Sequence, residues 1–130
     1  MMAMTESERL VVKCSGRLRL LKVDEIDWIE AAANYVRLHV GDEECRVRQT
    51  IGSLEAGLDP RRFVRIHRSR IVNVERIREV EPVSPGRYVA TLCNGTRMRL
   101  SRSGRTKLLA VLINGNRLRH PETSSSLSRS

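Results

Sequence analysis

The sequence lacks the marks of a membrane or secreted protein. No apolar run approaches the ~20 residues that a membrane-spanning helix requires. The opening residues, MMAMTESERL, lack the charged and then apolar pattern of a secretory signal. We therefore expect a cytoplasmic protein that does not enter a membrane.

Cysteine is scarce as well. Cys14, Cys45 and Cys93 are odd in number, lie far apart and form no CxxC pair. This spacing argues against both a disulfide framework and a zinc site. The sequence predicts three free thiols at small core or strand positions, with no metal and no cofactor.

Aromatic side chains are few, and the chain contains only Trp28, Tyr35, Phe63 and Tyr88. With 40% hydrophobic residues in 130, the chain can bury one core, built from Val, Ile and Leu. It lacks the aromatic platforms on which single-strand nucleic-acid binders stack bases.

Signatures of catalysis are also missing. The chain contains no GxGxxG, GxxxxGK[ST] or HExxH motif. His67 is the natural general base, with Ser69 or Cys93 as a nucleophile in principle, but no acidic partner is nearby in sequence. We expect no enzyme, and we expect His67 to hydrogen-bond locally and fix a loop.

Positive charge, by contrast, is abundant and concentrated in the second half. Residues 61–119 carry 15 Lys or Arg and 3 Asp or Glu, whereas residues 1–60 carry 8 and 11. Of the 24 basic residues 21 are arginine, whose planar fork bonds phosphate or guanine in two places at once. Nucleic acid, an acidic protein and an anionic membrane all fit this bias.

Most of the chain follows a period of two, which is typical of β-strands. Hairpins are predicted around Ser15-Gly16 and Asn94-Gly95, and a buried strand is predicted near Trp28. Further strand patterns are NYVRLHV, ECRVRQT, FVRIHR and RIVNVERIREVEPV. The fold class predicted is mainly β: an all-β or β-dominated, sandwich-like domain.

Two short helices interrupt the strands. Ile51, Leu54 and Leu58 recur at helical spacing behind a cap at Thr50 or Ser53. A C-terminal helix is predicted from Ser101 or Ser103 to Asn114-Gly115, with an apolar stripe of Leu108, Leu109 and Leu112. The predicted organisation is an N-terminal tail over 1–9, one domain over 10–116 and a disordered Ser-rich tail over 117–130.

Three spaced blocks in a fixed order make a family resemblance specific. They are "VDEIDWIEAAANYVRLHV", "RRFVRIHRSRIVNVERIREVEP" and "NGTRMRLSRSGRTKL". Together they resemble the LytTR family of bacterial DNA-binding domains over about residues 10–113. The resemblance implies an elongated domain of mostly antiparallel β-sheets with little helix. It also implies a transcriptional regulator that reads successive major grooves of double-stranded promoter DNA with loops.

The resemblance also implies site residues and partners. The residues implied to read bases are Asn34, Arg68 and Arg102. Those implied as accessory or phosphate contacts are Tyr35, Arg65, His67, Ser69, Arg70, Ser103, Arg105 and Lys107. Two copies are expected on repeated half-sites, as a homodimer on DNA.

The chain departs from the family pattern at two positions and in its architecture. Ala31–Ala33 stand where the family often has glycine, and Gly104 in the first turn of the last helix is expected to loosen it. Such domains usually follow a receiver, which the ten residues before the first strand cannot hold. Either the protein stands alone, or its signal arrives through a separate sensory or signalling protein. The alternative function is a basic β-module that binds RNA or an acidic protein.

Overall fold

The computed structural model describes residues 9–119, with side chains as far as residue 114. This part of the chain forms ten strands and two α-helices, joined at two places by 3-10 turns, Val23–Glu25 and Val74–Arg76. The strands are β1 (Arg9–Cys14), β2 (Arg17–Lys22), β3 (Trp28–Ala31), β4 (Val36–Val40), β5 (Glu43–Val47), β6 (Phe63–His67), β7 (Arg70–Asn73), β8 (Ile77–Ser84), β9 (Arg87–Leu92) and β10 (Arg97–Leu100). The helices are α1 (Ile51–Ala56) and α2 (Arg102–Arg119).

All strand pairs are antiparallel and form two sheets. The large sheet has seven strands in the order β2-β1-β5-β4-β3-β7-β6, and the small one has three in the order β10-β9-β8. Both predicted hairpins are confirmed. At the first, Ser15 and Gly16 have φ of 52° and 79°, the left-handed values that a two-residue turn between strands requires. The predicted mainly β class is confirmed.

Two apolar clusters hold the fold together, one on each face of the large sheet. Alternation along β1, β3, β4 and β5 sends Val12, Ile29 and Leu38 to one face, where Ile51 and Leu54 of α1 cover them. On the opposite face, the β3-β7-β6 end packs against the small sheet and α2 through Val64, Ile66, Val72, Leu92, Met98 and Leu108. The β2-β1 end of that second face has no such cover within residues 9–119.

The start of α2 lies directly on β6. Ser101 donates from its main-chain nitrogen to the carbonyl of Ile66 at 2.9 Å, and its Oγ caps the helix at the nitrogen of Gly104. A Cβ added at Gly104 would lie 2.1 Å from the carbonyl oxygen of Ile66. Gly104 therefore permits close contact between α2 and β6. From the sequence we expected this glycine only to loosen the helix.

The predicted helices are confirmed with two corrections. Thr50 caps α1, because its Oγ1 accepts from the nitrogen of Ser53 at 3.0 Å. The predicted end of the last helix at Asn114-Gly115 is wrong: α2 continues to Arg119, since its other residues outweigh the cost of about 1 kcal/mol for an internal glycine. The predicted stripe is also wrong at Leu109, which is exposed, while Val111 packs against the second cluster.

The predicted domain limits fall near the ends of the described part. The boundary at 116 lies inside α2, and the remaining tail residues, 120–130, lie outside the described residues, as do 1–8. Neither helix of residues 9–119 is long and apolar enough to cross a membrane.

The expectation of three free thiols is wrong. Cys14 and Cys45 are directly opposite each other in the β1·β5 pair, with Cα atoms 4.3 Å apart, and they form a buried disulfide. Their 31-residue separation gave no sign of this pairing, which depends on β1 joining β5 across the sheet. Cys93 is free and exposed. Glu43 lies within 4.8 Å of both bonded sulfurs, but a disulfide supplies no thiolate for a metal.

Candidate nucleic-acid interface

Two loops and the start of α2, which are distant in sequence, meet at one end of the strands β3, β7 and β6. Ala31 donates from its nitrogen to the carbonyl of Ser69 at 2.9 Å, which ties the β3–β4 connection to the β6–β7 turn. The Ser101–Ile66 bond ties the start of α2 to the same turn. We call this surface the loop edge: residues 31–35, 67–69 and 101–107. Main-chain hydrogen bonds fix the relative positions of its parts.

The His67-Arg68-Ser69 turn follows a bulge in the β6·β7 register. The Nδ1 of His67 accepts from the nitrogen of Ser69 at 3.2 Å and lies 3.1 Å from its Oγ. The prediction that His67 fixes this turn by local hydrogen bonding is confirmed. The side chain of Arg68 is exposed at the tip.

Arg65 lies beneath this turn and is engaged within the protein. Its Nη1 donates to Oε1 of Glu55 at 3.0 Å, and its Nη2 donates to the carbonyl of Arg68 at 2.6 Å. The guanidinium thus links α1 to the loop, and a phosphate contact at Arg65 stays a prediction. The sequence analysis did not identify Glu55, because nothing in its short helix indicates a pairing with Arg65, ten residues further along the chain.

A concavity of about 370 Å³ brings five of the predicted residues together. Its lining consists of Glu55, Arg65, His67, Arg68, Ser101, Ser103 and Lys107. Within residues 9–119, Arg68 and Lys107 form no ion pair, whereas Arg65 is paired with Glu55. Arg68 and Lys107, which have no ion-pair partner, are thus exposed, whereas Arg65, which is paired with Glu55, is half-buried.

The other predicted cations lie around this concavity rather than in it. Arg102 is exposed at the first position of α2 and has no ion-pair partner among the described side chains. The guanidinium of Arg105 lies over the ring of Tyr88 at 4.5 Å, and that of Arg70 lies 5.9 Å from the ring centre of Trp28. These rings restrain two arginines without neutralising them.

Asn34 and Tyr35 lie at the other end of the loop edge. The loop closes through a bond from the nitrogen of Ala32 to the carbonyl of Tyr35 at 2.9 Å. Ser15 is the only non-glycine residue of the described chain with positive φ, so the alanines need none. Asn34 is exposed and lines a second groove of about 450 Å³, separate from the concavity at Arg68.

Tyr35 is surrounded by cations. Arg46 and Arg37 lie over its ring at 4.9 and 5.9 Å. A hydrogen bond to the Tyr35 hydroxyl, followed by the carboxylates of Glu44 and Glu30, holds the pKa of Arg37 above its ordinary value. Sequence reasoning missed Arg46 as a neighbour of this loop, because their contact depends on the β4·β5 pairing.

Comparison with known proteins agrees with this architecture. A solved structure, the LytTr DNA-binding domain of a Bacillus cereus protein described as a methyl-accepting/DNA response regulator, superposes with a TM-score of 0.73. It is 21% identical, and the match covers 81% of this chain and 96% of that one. At this identity the likeness establishes the fold.

Curated relatives match over the same region. The transcriptional regulatory protein LytR of Staphylococcus aureus (strain N315) is 29% identical over 96 residues, 74% of this chain and 39% of the relative. The sensory transduction protein LytT of Bacillus subtilis (strain 168) is 30% identical over 104 residues, 80% of this chain and 43% of the relative. The chain thus spans about two fifths of the length of these relatives.

The family model described as LytTr DNA-binding domain matches residues 16–113. That range includes the loop edge, the second apolar cluster and most of the first. The match extends over well more than half of the chain, and it agrees with the fold and with the three sequence blocks. The chain therefore belongs to the LytTr DNA-binding domain family.

Proposed function

We propose that this protein is a transcriptional regulator that binds double-stranded DNA sequence-specifically through the loop edge. The observation that carries the proposal is that three exposed cations, Arg68, Arg102 and Lys107, have no ion-pair partner among the described side chains. Arg68 projects from the β6–β7 turn and the other two from the first turns of α2, and main-chain hydrogen bonds hold these elements together. Free cations neutralise phosphates, and a rigid frame places side chains against base edges. Two relatives are named as a transcriptional regulatory protein and a sensory transduction protein, and these names support the same role.

Each residue has a distinct role in the proposal. Arg68, Arg102 and Asn34 read bases: arginine can bond guanine O6 and N7, and asparagine can bond adenine N6 and N7. Lys107, Arg105 and Arg70 contact phosphates, with Tyr35 and Ser103 as accessory contacts. His67, Ser69 and Arg65 shape the turn that carries Arg68. No catalytic step is assigned to His67 and Ser69, which bond each other.

Two further elements belong to the proposal. Two copies of the domain occupy repeated half-sites, since the concavity and the Asn34 groove of one copy offer only a short footprint. The regulatory signal comes from a sensory or signalling protein, a proposal supported by the name of the relative LytT, a sensory transduction protein.

A gel-shift series tests the base-reading roles. Against a duplex selected from random sequences, Arg68→Ala is expected to cost about 1–3 kcal/mol and to relax preference at one base position. Arg105→Ala is expected to weaken binding to all duplexes and to reduce the salt slope by about 1. Arg17→Ala is the matched control. Arg17 pairs with Glu43 at the start of β5, whereas the loop edge lies near Val47 at the other end of that strand.

Two outcomes would contradict the proposal. Equal affinity of the unaltered chain for the selected and a scrambled duplex would remove sequence specificity. Preferential retention of single-stranded RNA over duplex DNA in competition would favour the alternative of an RNA-binding module.

A further inference from the structure

The β1–β2 hairpin carries an exposed apolar surface at one end of the large sheet. Val11, Leu18 and Leu20 are 63%, 75% and 64% exposed. The register pairs Val11 with Leu20 and Lys13 with Leu18, so all four side chains lie on one face. We call this face the hairpin surface. Three large apolar side chains exposed together, rather than scattered, are typical of an interaction site.

The charges around the hairpin surface are unpaired. Arg9, Lys13, Lys22, Arg46 and Arg48 form no ion pair with any side chain of the described region. On the other face of the same hairpin, Arg17 and Arg19 are both bonded to Glu43. The groove beside the hairpin is lined by Lys13, Arg46 and Arg48 together with Val11, Leu18 and Tyr35, and by no acidic residue. The described region thus supplies no carboxylate partner for these five cations.

The backbone edge of β2 is also open. β2 is the last strand of the large sheet, and its outer side pairs with no strand of residues 9–119. Such an edge offers a row of hydrogen-bond donors and acceptors to an added strand. The surface thus combines apolar side chains, free cations and an unpaired strand edge.

These three features together select one kind of partner. Phosphates of a nucleic acid would neutralise the cations but would leave Leu18 and Leu20 in water. A lipid surface would not bond the strand edge. A second copy would bring like charges against one another, which costs affinity.

We propose that the hairpin surface docks an extended acidic segment of another protein, which adds to β2 as an eighth strand. Alternate apolar side chains of that strand cover Leu18 and Leu20 of β2. Its carboxylates pair with Lys22 of β2 and with Lys13 of β1, which are on the same face. This inference goes beyond DNA binding and does not depend on it.

Selection of peptides from a random twelve-residue display library tests the proposal, with the full chain as the immobilised target. We expect the enriched peptides to alternate Asp or Glu with Leu, Ile or Val. Their affinity, measured by fluorescence anisotropy, is expected to fall at least about tenfold in the L18T/L20T double variant, since two apolar contacts are lost. Threonine keeps strand propensity, and far-ultraviolet circular dichroism checks that the variant is folded.

Charge reversal supplies the second arm. Lys13→Glu combined with Lys22→Glu is expected to reduce the affinity for the same peptides at least about tenfold, because repulsion replaces attraction. Arg78→Glu combined with Arg87→Glu, at exposed positions of the small sheet, is the matched control and is expected to leave peptide affinity unchanged. Peptides without acidic residues, or affinities unaffected by L18T/L20T, would overturn the proposal.

Other occupants would give different results. Self-association in sedimentation that disappears in L18T/L20T would assign the surface to a second copy. Binding to phosphatidylglycerol vesicles that disappears in L18T/L20T, with no acidic peptide enriched, would assign it to a membrane. Either result overturns the proposal. If the unaltered chain binds the acidic peptides as expected but binds no duplex DNA, only the proposed DNA-binding function is contradicted.

Discussion

Arg65 donates a hydrogen bond from Nη2 to the main-chain carbonyl of Arg68 at 2.6 Å. Its other terminal nitrogen bonds Glu55 of α1, so a chain of contacts runs from a helix through a strand to a loop tip. Arg65, which the sequence presents as one more cation near the loop edge, therefore helps to set the shape of the loop that carries Arg68. The role of Glu55 follows from this relationship.

Glu55→Gln separates positioning from simple electrostatics. Removing a carboxylate from a basic concavity would strengthen binding to any duplex, if charge alone mattered. If Glu55 holds Arg65 and thereby Arg68, affinity for the selected duplex is expected to fall about fivefold, or roughly 1 kcal/mol, a value reduced for the partial exposure of the pair. Gel shifts with selected and scrambled duplexes measure both effects.

Glu79→Gln is the matched control for that experiment. Glu79 is exposed on β8 and forms no ion pair with a described residue, so the variant removes the same charge without loosening the loop. A uniform gain of affinity for both duplexes in Glu55→Gln would show that the contact with Arg65 does not position Arg68.

Gly104→Ala is expected to destabilise the protein despite the higher helix propensity of alanine. The added Cβ would lie 2.1 Å from the carbonyl oxygen of Ile66, so α2 must shift away from β6. We expect a loss of about 1–3 kcal/mol in the free energy of unfolding by urea. Ser103→Ala, at an exposed position of the same turn, is expected to change that free energy by less than about 0.5 kcal/mol. Equal stability of both variants would contradict the close contact.

Removing the disulfide is expected to lower stability. Cys14→Ser opens a cross-link between residues separated by 31 positions, which in the chain-entropy account costs about 3–4 kcal/mol. Urea unfolding of the oxidised chain, with and without dithiothreitol, measures the difference. Cys93→Ser is the control, since that thiol is free and exposed. Insensitivity of the unaltered chain to dithiothreitol would indicate that the bond does not form in solution.

Asn73 is a buried polar side chain whose hydrogen bonds join β7 to the segment before β3. Its Nδ2 donates to the carbonyl of Ile26 at 2.8 Å, and its Oδ1 accepts from the nitrogen of Glu75 at 3.0 Å. Asn73→Ala leaves these groups unpaired at a site only 2% exposed, and is expected to cost about 2–3 kcal/mol of unfolding free energy.

Asn94 provides the comparison for that measurement. Its Oδ1 likewise accepts from the nitrogen two residues on, Thr96, at 3.0 Å, but the side chain is exposed. Asn94→Ala is expected to cost less than about 1 kcal/mol, because water replaces the lost bond. Similar losses in the two variants would contradict a special role for Asn73.

Local features could be predicted from the sequence because they depend on neighbours in the chain. The Asn94-Gly95 hairpin, the cap at Thr50 and the His67–Ser69 contact all involve residues within a few positions of one another. Turn chemistry and side-chain periodicity determine such features without knowledge of the fold.

Features that depend on distant contacts could not be predicted. The Cys14–Cys45 bond requires β1 to pair with β5, and the tight contact at Gly104 requires α2 to cross β6. The engagement of Arg65 requires α1 to lie beside the loop. Composition and spacing indicated a cationic surface, but they did not distinguish the exposed cations without ion-pair partners from Arg65, which is paired with Glu55.

The central claim is that the loop edge reads duplex sequence, and selection of bound sequences from random duplex DNA tests it most directly. The full chain is expected to enrich a motif that occurs as repeated half-sites. Arg68→Ala and Arg102→Ala are each expected to relax the preference at a different base position within that motif. Failure of the unaltered chain to enrich any duplex sequence, at a salt concentration where it binds DNA, would contradict the account.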